Sequence, residues 1–204
     1  MTENLSFTHN KGKMLSKAFK VLGFIKRNSF SFKEPSTLLT LFKALVRPLL
    51  EYASVIWNSD AKCFTEEIER VQKKFVKYFC YKFKIQYDAI NYENLCQQIG
   101  LPPLYKRRIF LDMVTLYKIV NCIFDCPELL STINLRIPTF DSRNKQLFHI
   151  PNARTNVRKN SPEIRIMNNY NELLKKHEDL DIFQDLPSFK QMANKAVYAR
   201  MPST

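Results

Sequence analysis

Residues 41–57 constrain the fold most, because their apolar side chains recur with the period of a helix and leave room for one charged stripe. Lys43, Arg47 and Glu51 recur every fourth position and therefore share one side of a helix, whose other sides are apolar. The pattern predicts a single apolar helix. Pro48 lies inside it, has no backbone N–H and clashes with the preceding turn, so we expect a bend near Arg47.

The composition favours a mainly α fold. The chain has 204 residues, of which 45% are hydrophobic and 13% aromatic, so it can form one core or two small ones. It contains only 3 glycines. So few glycines fit helices better than a sandwich or barrel, whose many short strands need tight turns.

Two further helices are each predicted to carry one basic side and one apolar side. The first covers residues 10–28, and the second begins at Thr65, a plausible N-cap with acidic residues in the first turn. The basic side of the first carries Lys13, Lys17, Lys20 and Arg27, and that of the second carries Arg70, Lys73, Lys74 and Lys77. The apolar sides lie opposite and are predicted to pack in a core.

A third basic cluster occupies residues 141–165 and comprises Arg143, Lys145, Arg154, Arg158, Lys159 and Arg165. Residues 135–137 and 147–150 read as two short strands, which could pair as a small hairpin. Residues 152–160 read as an exposed, basic loop. Arginines in such a loop suit phosphate, because a guanidinium can bind two oxygens at once, although a surface loop without a ligand is equally consistent.

Four more helices complete the prediction. They are a short helix after Asn91, a helix over residues 104–123, one beginning at Ser161-Pro162 and one following Leu186-Pro187. In the helix over residues 104–123, Arg108 and Asp112 are one turn apart, so we expect them to pair on its exposed side.

The net charge of +13 favours a polyanionic partner. Lysine and arginine release condensed counterions when they neutralise phosphates, so the two basic sides, the arginine-rich cluster, Lys43 and Arg47 are candidate nucleic-acid contacts. A membrane surface would satisfy the same charge, and solvated lysines are common. Exposed Tyr78, Tyr81 or Tyr87 could stack on unpaired bases, or could pack in the core.

No residue pattern indicates a catalytic nucleophile, a metal site or a cofactor. The cysteines are odd in number and lack zinc-ligand spacing; only Cys122 and Cys126 are close, and we expect them to be reduced, partly buried and near a helix end. The three histidines are scattered, and the acid-rich segment 177–181, which begins with His177, predicts a solvated connection. The most apolar window carries three charges, so we expect no membrane span and no signal peptide.

The chain also resembles the region that follows the polymerase domain in non-LTR (LINE-type) retrotransposon reverse transcriptases, especially jockey-like elements. The blocks that carry the resemblance follow in order: KVLGFIKR (residues 20–27), RPLLEYASVIW (47–57), IERVQKKF (68–75), LPPL (101–104), LYKI (116–119), LFHIP (147–151) and NNYNEL (168–173). No single block is diagnostic, but their ordered succession extends from about residue 11 onward.

This resemblance implies a helical thumb-like bundle over residues 1–130 and a small basic tail over residues 131–204, which contains the hairpin and two C-terminal helices. The catalytic palm of the family precedes this region, and the chain has no paired aspartates to hold two metal ions, so we expect no polymerase activity from it alone. The implied partners are RNA, DNA or an RNA–DNA duplex and the missing palm, and the implied location is the nucleus or cytoplasm.

Two other functions stay open at this stage. The chain could be a helical protein-interaction or scaffold remnant of a truncated element, with its charge serving only solubility. Alternatively, it could take part in catalysis if another chain supplied the aspartates. Binding to nucleic acid and capture of a protein partner would separate the first from the duplex-binding hypothesis.

Overall fold

Most of the described chain is helical in the computed structural model, which describes residues 8–58, 62–87, 91–137, 146–159 and 161–198. The predicted mainly α fold is confirmed. The chain forms two compact units, Met1–Tyr105 and Lys106–Thr204. Each unit has its own buried apolar cluster and is described by itself below.

The first unit contains six α-helices within its described residues. They are α1 (Thr8–Asn28), α2 (Pro35–Leu41), α3 (Arg47–Glu51), α4 (Ser54–Trp57), α5 (Lys62–Phe83) and α6 (Tyr92–Gln98). The apolar sides predicted for α1 and α5 are buried: Ala18, Leu22 and Ile25 on α1, and Ile68, Val71, Phe75 and Phe79 on α5. The sequence had predicted Thr65 as the N-cap of α5. This prediction is wrong, because α5 begins at Lys62 and Thr65 lies inside the helix.

A π-helical turn over Phe42–Val46 accommodates Pro48. The N–H of Arg47 donates to the carbonyl of Phe42, five residues back, which widens the helix just before the proline. Such a turn relieves the clash between a proline ring and the carbonyl one turn earlier, and it needs no N–H from the proline. The wide turn also places Phe42 against Phe75 of α5, with 4.2 Å between the ring centroids.

The single helix predicted over residues 41–57 is wrong, because the chain leaves helical geometry between α3 and α4. Tyr52 is extended in ψ and Ala53 has a φ of 52°, in the left-handed region that a residue with a Cβ seldom adopts. The indole N–H of Trp57 donates to the carbonyl of Tyr52 at 2.6 Å, which closes the turn. Pro48 had predicted a bend near Arg47. It did not predict the break at Tyr52 and Ala53, which this local hydrogen bond stabilises.

Two buried polar side chains of α5 hold the segment between α6 and the helix that follows it, α7 (Leu104–Val120). The Glu69 carboxylate accepts hydrogen bonds from the N–H groups of Leu104 and Tyr105, the first of them at 3.1 Å, and so caps the positive end of α7. Gln72 donates to the carbonyls of Leu101 and Pro102 at 3.2 and 3.1 Å. The sequence showed only that α5 has an apolar side, not that these two residues would be buried in it.

The second unit contains the rest of α7 and four further α-helices within its described residues. They are α8 (Pro127–Thr132), α9 (Asn156–Lys159), α10 (Pro162–Lys176) and α11 (Leu186–Tyr198). Its core joins the buried side of α7, including Met113 and Leu116, to apolar residues of α10 and α11. Because this side of α7 packs on later helices, the boundary lies at Tyr105, and residue 130, where the sequence had placed it, falls inside the second unit.

Asp112 and Arg165 form a buried ion pair in the core of this unit. Both side chains are fully buried, and the Arg165 Nε lies 3.2 Å from the Asp112 Oδ2. Two predictions are therefore wrong: Asp112 and Arg108 are buried and do not brace an exposed surface, and Arg165 is not part of an exposed basic cluster. A charge on an otherwise apolar side can pair inside a core, and the partner here is 53 residues away in the chain.

The predicted hairpin is reduced to one antiparallel bridge, Leu135 with Phe148, in the part of the chain that the structure describes. Hydrogen bonds flank the bridge, so the N–H and C=O of Phe148 point away from it. The side-chain amide of Asn171 satisfies both groups, at 3.1 and 2.8 Å. The predicted exposed loop over residues 152–160 is also partly wrong, because its second half forms the single turn of α9.

Replacing Asp112 with alanine should destabilise the second unit strongly, because the guanidinium of Arg165 would stay buried without its carboxylate. Loss of one partner of a buried ion pair costs about 3–5 kcal/mol. Chemical denaturation followed by circular dichroism would measure this change. The matched control is Asp125→Ala, which removes an exposed carboxylate from the same unit. Equal effects of the two substitutions would contradict a structural role for the buried pair.

Candidate nucleic-acid interface

Helices α1 and α5 lie side by side and run in the same direction. Their contacts, in chain order, are Lys11 with Glu67, Phe19 with Lys74, Lys26 with Tyr78, and Ser29 with Lys82. The residue numbers rise together on both helices, which happens only when two helices are parallel. The basic sides of the two helices therefore begin and end at similar levels.

The cations predicted on these two basic sides are exposed. The set comprises Lys13, Lys17, Lys20 and Arg27 on α1, and Arg70, Lys73, Lys74 and Lys77 on α5. Among the residues that the structure describes, none of the eight forms a salt bridge with a carboxylate. Their positive charge is thus available to a partner.

The two basic sides adjoin where α1 packs beside α5, and we call the surface along this contact the α1–α5 groove. Phe19, Gly23 and Arg27 recur every fourth position and form one column of α1. The Lys74 ammonium lies 4.7 Å from the centroid of the Phe19 ring, and the guanidinium of Arg27 approaches Gly23, with Nη1 3.5 Å from where a Cβ would be. Two cations from different helices therefore lie along one column.

Lys26, which the sequence analysis did not select, adds to the positive charge beside this groove. Burial, and then the charge of Lys74, lower the pKa of Lys26 from its ordinary value. Its ammonium lies 5.3 Å from the centroid of the Tyr78 ring. Lys26 lies on the half-buried side of α1, and the position of α5 brings it near Lys74.

The other predicted contacts belong to segments outside α1 and α5. Lys43 lies in the π-helical turn, and Arg47 of α3 is only partly exposed, with its Nε 3.9 Å from the Glu51 carboxylate. Arg154, Arg158 and Lys159 are exposed, but they belong to the second unit. Arg143 and Lys145 lie outside the described residues. Of the eight, Lys74 and Arg27 are the two whose contacts place them at the α1–α5 groove. Lys17 lines a cavity with Pro48 and Leu49 of α3, and the Lys73 ammonium lies 5.4 Å from the centroid of the Tyr92 ring of α6.

The three candidate stacking tyrosines differ in exposure. The Tyr78 hydroxyl lies 2.8 Å from the Ser29 Oγ and donates to the Lys26 carbonyl, so it helps to hold α1. Tyr87 packs against the first core. Tyr81 is 84% exposed. Of the three, Tyr81 presents its ring to solvent.

No group of three or more histidine, cysteine, aspartate and glutamate side chains within the described residues could hold a metal ion. All five cysteines are free. Cys126 is partly buried as expected, but Cys122 is exposed, because the chain turns away after α7 with a φ of 53° at this residue. Burial raises the pKa of Cys96 to about 11 and also raises that of Cys80, so both are held as neutral thiols.

The cysteines should therefore react in two classes. At pH 8, iodoacetamide should modify the exposed Cys63 and Cys122 and spare Cys96 and Cys80, because a raised pKa leaves little of the reactive thiolate and burial blocks access. Mass spectrometry of the digested protein would measure the extent at each site. All four should react after denaturation, and early modification of Cys96 in the folded protein would contradict its buried position.

The chain was compared with models of protein families, with curated proteins and with solved structures, and none of them matches it. The resemblance to the reverse transcriptases thus stays an interpretation of the sequence. In the part of the chain that the structure describes, no helix combines the length and the apolar character needed to cross a bilayer.

Replacing Lys82 with methionine should loosen the end of α1. The Lys82 ammonium donates to the carbonyls of Ser29 and Phe30 at 2.7 and 2.9 Å. A hydrogen bond with one charged partner contributes about 1.5–3 kcal/mol, and thermal unfolding would show its loss. Hydrogen exchange should also become faster near Ser29. Lys84→Met, which removes a nearby exposed lysine, should have little effect; an equal effect would show that charge, not this contact, matters.

Proposed function

We propose that this chain binds the sugar-phosphate backbone of a nucleic-acid duplex through the α1–α5 groove, without reading bases. The observation that carries the proposal is the set of eight exposed lysines and arginines on two parallel helices, free of carboxylate partners among the described residues. A surface of one sign attracts a polyanion and releases its counterions.

The arrangement suits backbone contact better than base recognition. Lys74, over the Phe19 ring, and Arg27, beside Gly23, lie along one column of α1. Lysine ammoniums act as point charges and do not select a base edge, so contacts of this kind position a duplex and carry no sequence information.

The sequence resemblance supports a more specific role within the same proposal. The chain would be a piece of a non-LTR reverse transcriptase that lies after the palm and holds the template–primer duplex, in the nucleus or cytoplasm. It would not polymerise by itself, because the paired aspartates that hold the metal ions in such enzymes would belong to the palm. The palm would then be its second partner.

An apolar cavity in the first unit favours a second candidate function, a helical protein-interaction module. The cavity has a volume of about 680 Å³ and is lined by apolar residues of α1, α3, α4 and α5, among them Met14, Leu49, Ile56 and Phe64. Tyr52 on its lining is 82% exposed. An open apolar surface of this kind is typical of contact sites for other proteins.

Neutralising the groove should weaken duplex binding and flatten its salt dependence. In the variant Lys20→Gln, Arg27→Gln, Lys74→Gln and Lys77→Gln, each lost phosphate contact should reduce the slope of log K against log salt by about 0.9 for B-form DNA. Fluorescence anisotropy with a blunt duplex at several salt concentrations would measure the slope.

The control variant changes the same net charge in the second unit, through Lys175→Gln, Lys176→Gln, Lys190→Gln and Lys195→Gln, all of them exposed. It should keep most of the affinity and the slope. Equal losses in both variants would show that the total charge, and not the groove, attracts the duplex. Absence of binding at low salt, together with capture of a protein through the apolar cavity, would favour the interaction module.

A further inference from the structure

We infer that the groove ends in an aromatic platform that stacks on unpaired bases, so that the preferred ligand is a duplex carrying a single-stranded extension. This inference rests on the proposed function. The platform consists of Phe30 and Tyr81, which are 90% and 84% exposed. Both rings are therefore open to solvent, although the backbone beneath them is held in place.

Hydrogen bonds place the two aromatic residues at the same end of the helix pair. Phe30 follows the last turn of α1, and its carbonyl accepts a hydrogen bond from the Lys82 ammonium at 2.9 Å. Tyr81 directly precedes Lys82 on α5. The adjacent Ser29 is bound both by Lys82 and by the Tyr78 hydroxyl. Phe30 is thus anchored through its backbone and not through its ring.

Tyr81 also continues the basic side of α5. Lys77 and Tyr81 are four residues apart and so lie on one column of the helix. Lys74 lies about one turn before Lys77. On α1, Arg27 is three residues before Phe30. A strand whose phosphates follow the cations along the groove would therefore reach the two rings at its end.

The chemistry of this end fits unpaired nucleotides. Every base has a flat π-face, so aromatic side chains next to cations bind single strands with little sequence preference. Inside a duplex the bases are already stacked on their neighbours and present only edges in the grooves, so only the terminal pair of a blunt end offers a face. The rings should therefore contribute most to affinity where bases are unpaired, whereas the cations act on both parts of the ligand.

The test uses the full chain and two ligands, a blunt duplex and the same duplex with an unpaired extension of several nucleotides, in DNA and RNA forms. Wild-type protein should bind the extended duplex about tenfold more tightly than the blunt one, measured by fluorescence anisotropy. The double variant Phe30→Ala and Tyr81→Ala should lose this preference and bind the blunt duplex within about twofold of wild type.

Further variants separate stacking from other causes. Phe30→Trp with Tyr81→Trp should keep the preference, because both substitutions retain an aromatic face. Tyr52→Ala, which removes an equally exposed ring that lines the apolar cavity, should leave it unchanged. A 2-aminopurine in the extension should be quenched by wild-type protein and not by the alanine variant, and unchanged melting curves would show that all variants are folded.

The outcomes distinguish the two levels of the proposal. If wild type binds both duplexes equally, or if the alanine variant keeps the preference, the aromatic platform is wrong while duplex binding by the groove stands. If wild type binds neither ligand at low salt, the proposed function fails and the platform fails with it.

Discussion

The alignment of α1 on α5 is the constraint on which the candidate interface depends. The last carbonyls of a helix lack partners within the helix and form its negative end. Tyr78 and Lys82 of α5 donate to three carbonyls at or just after the end of α1, those of Lys26, Ser29 and Phe30. These hydrogen bonds fix how far α1 is shifted along α5. The buried apolar sides fix the rotation of each helix about its own axis. The two basic sides adjoin because both are fixed.

Carboxylates of the first unit serve internal contacts, which helps to explain why positive charge is in excess along the groove. Glu69 is buried at the start of α7, Glu67 pairs with Lys11, and Glu51 lies near Arg47. Each of these acidic side chains therefore offsets a charge or a helix dipole inside the unit. The cations of the groove are left to interact with solvent or with a ligand.

In the second unit, by contrast, one of the predicted basic residues is buried and paired with a carboxylate. Arg165, which belongs to a basic cluster in the sequence, is buried with Asp112, and Asn171 satisfies the backbone of Phe148 where a further strand would otherwise be needed. Burying an ion pair costs desolvation of both groups, and the pair links α7 to α10 through one direct contact. Arg158 and Lys159, by contrast, are exposed on the single turn of α9.

The sequence by itself determined the mainly helical fold and the apolar sides of the long helices α1 and α5, because a period of 3.6 residues places each side chain of a helix on a definite side. It therefore predicted the exposure of Lys20 and Lys74 and the burial of Leu22 and Phe75. Only the tertiary structure decided which charges are free and which are paired, as Arg165 and Lys82 show. A partner more than 50 residues away leaves no trace in local periodicity, since it depends on how whole helices pack.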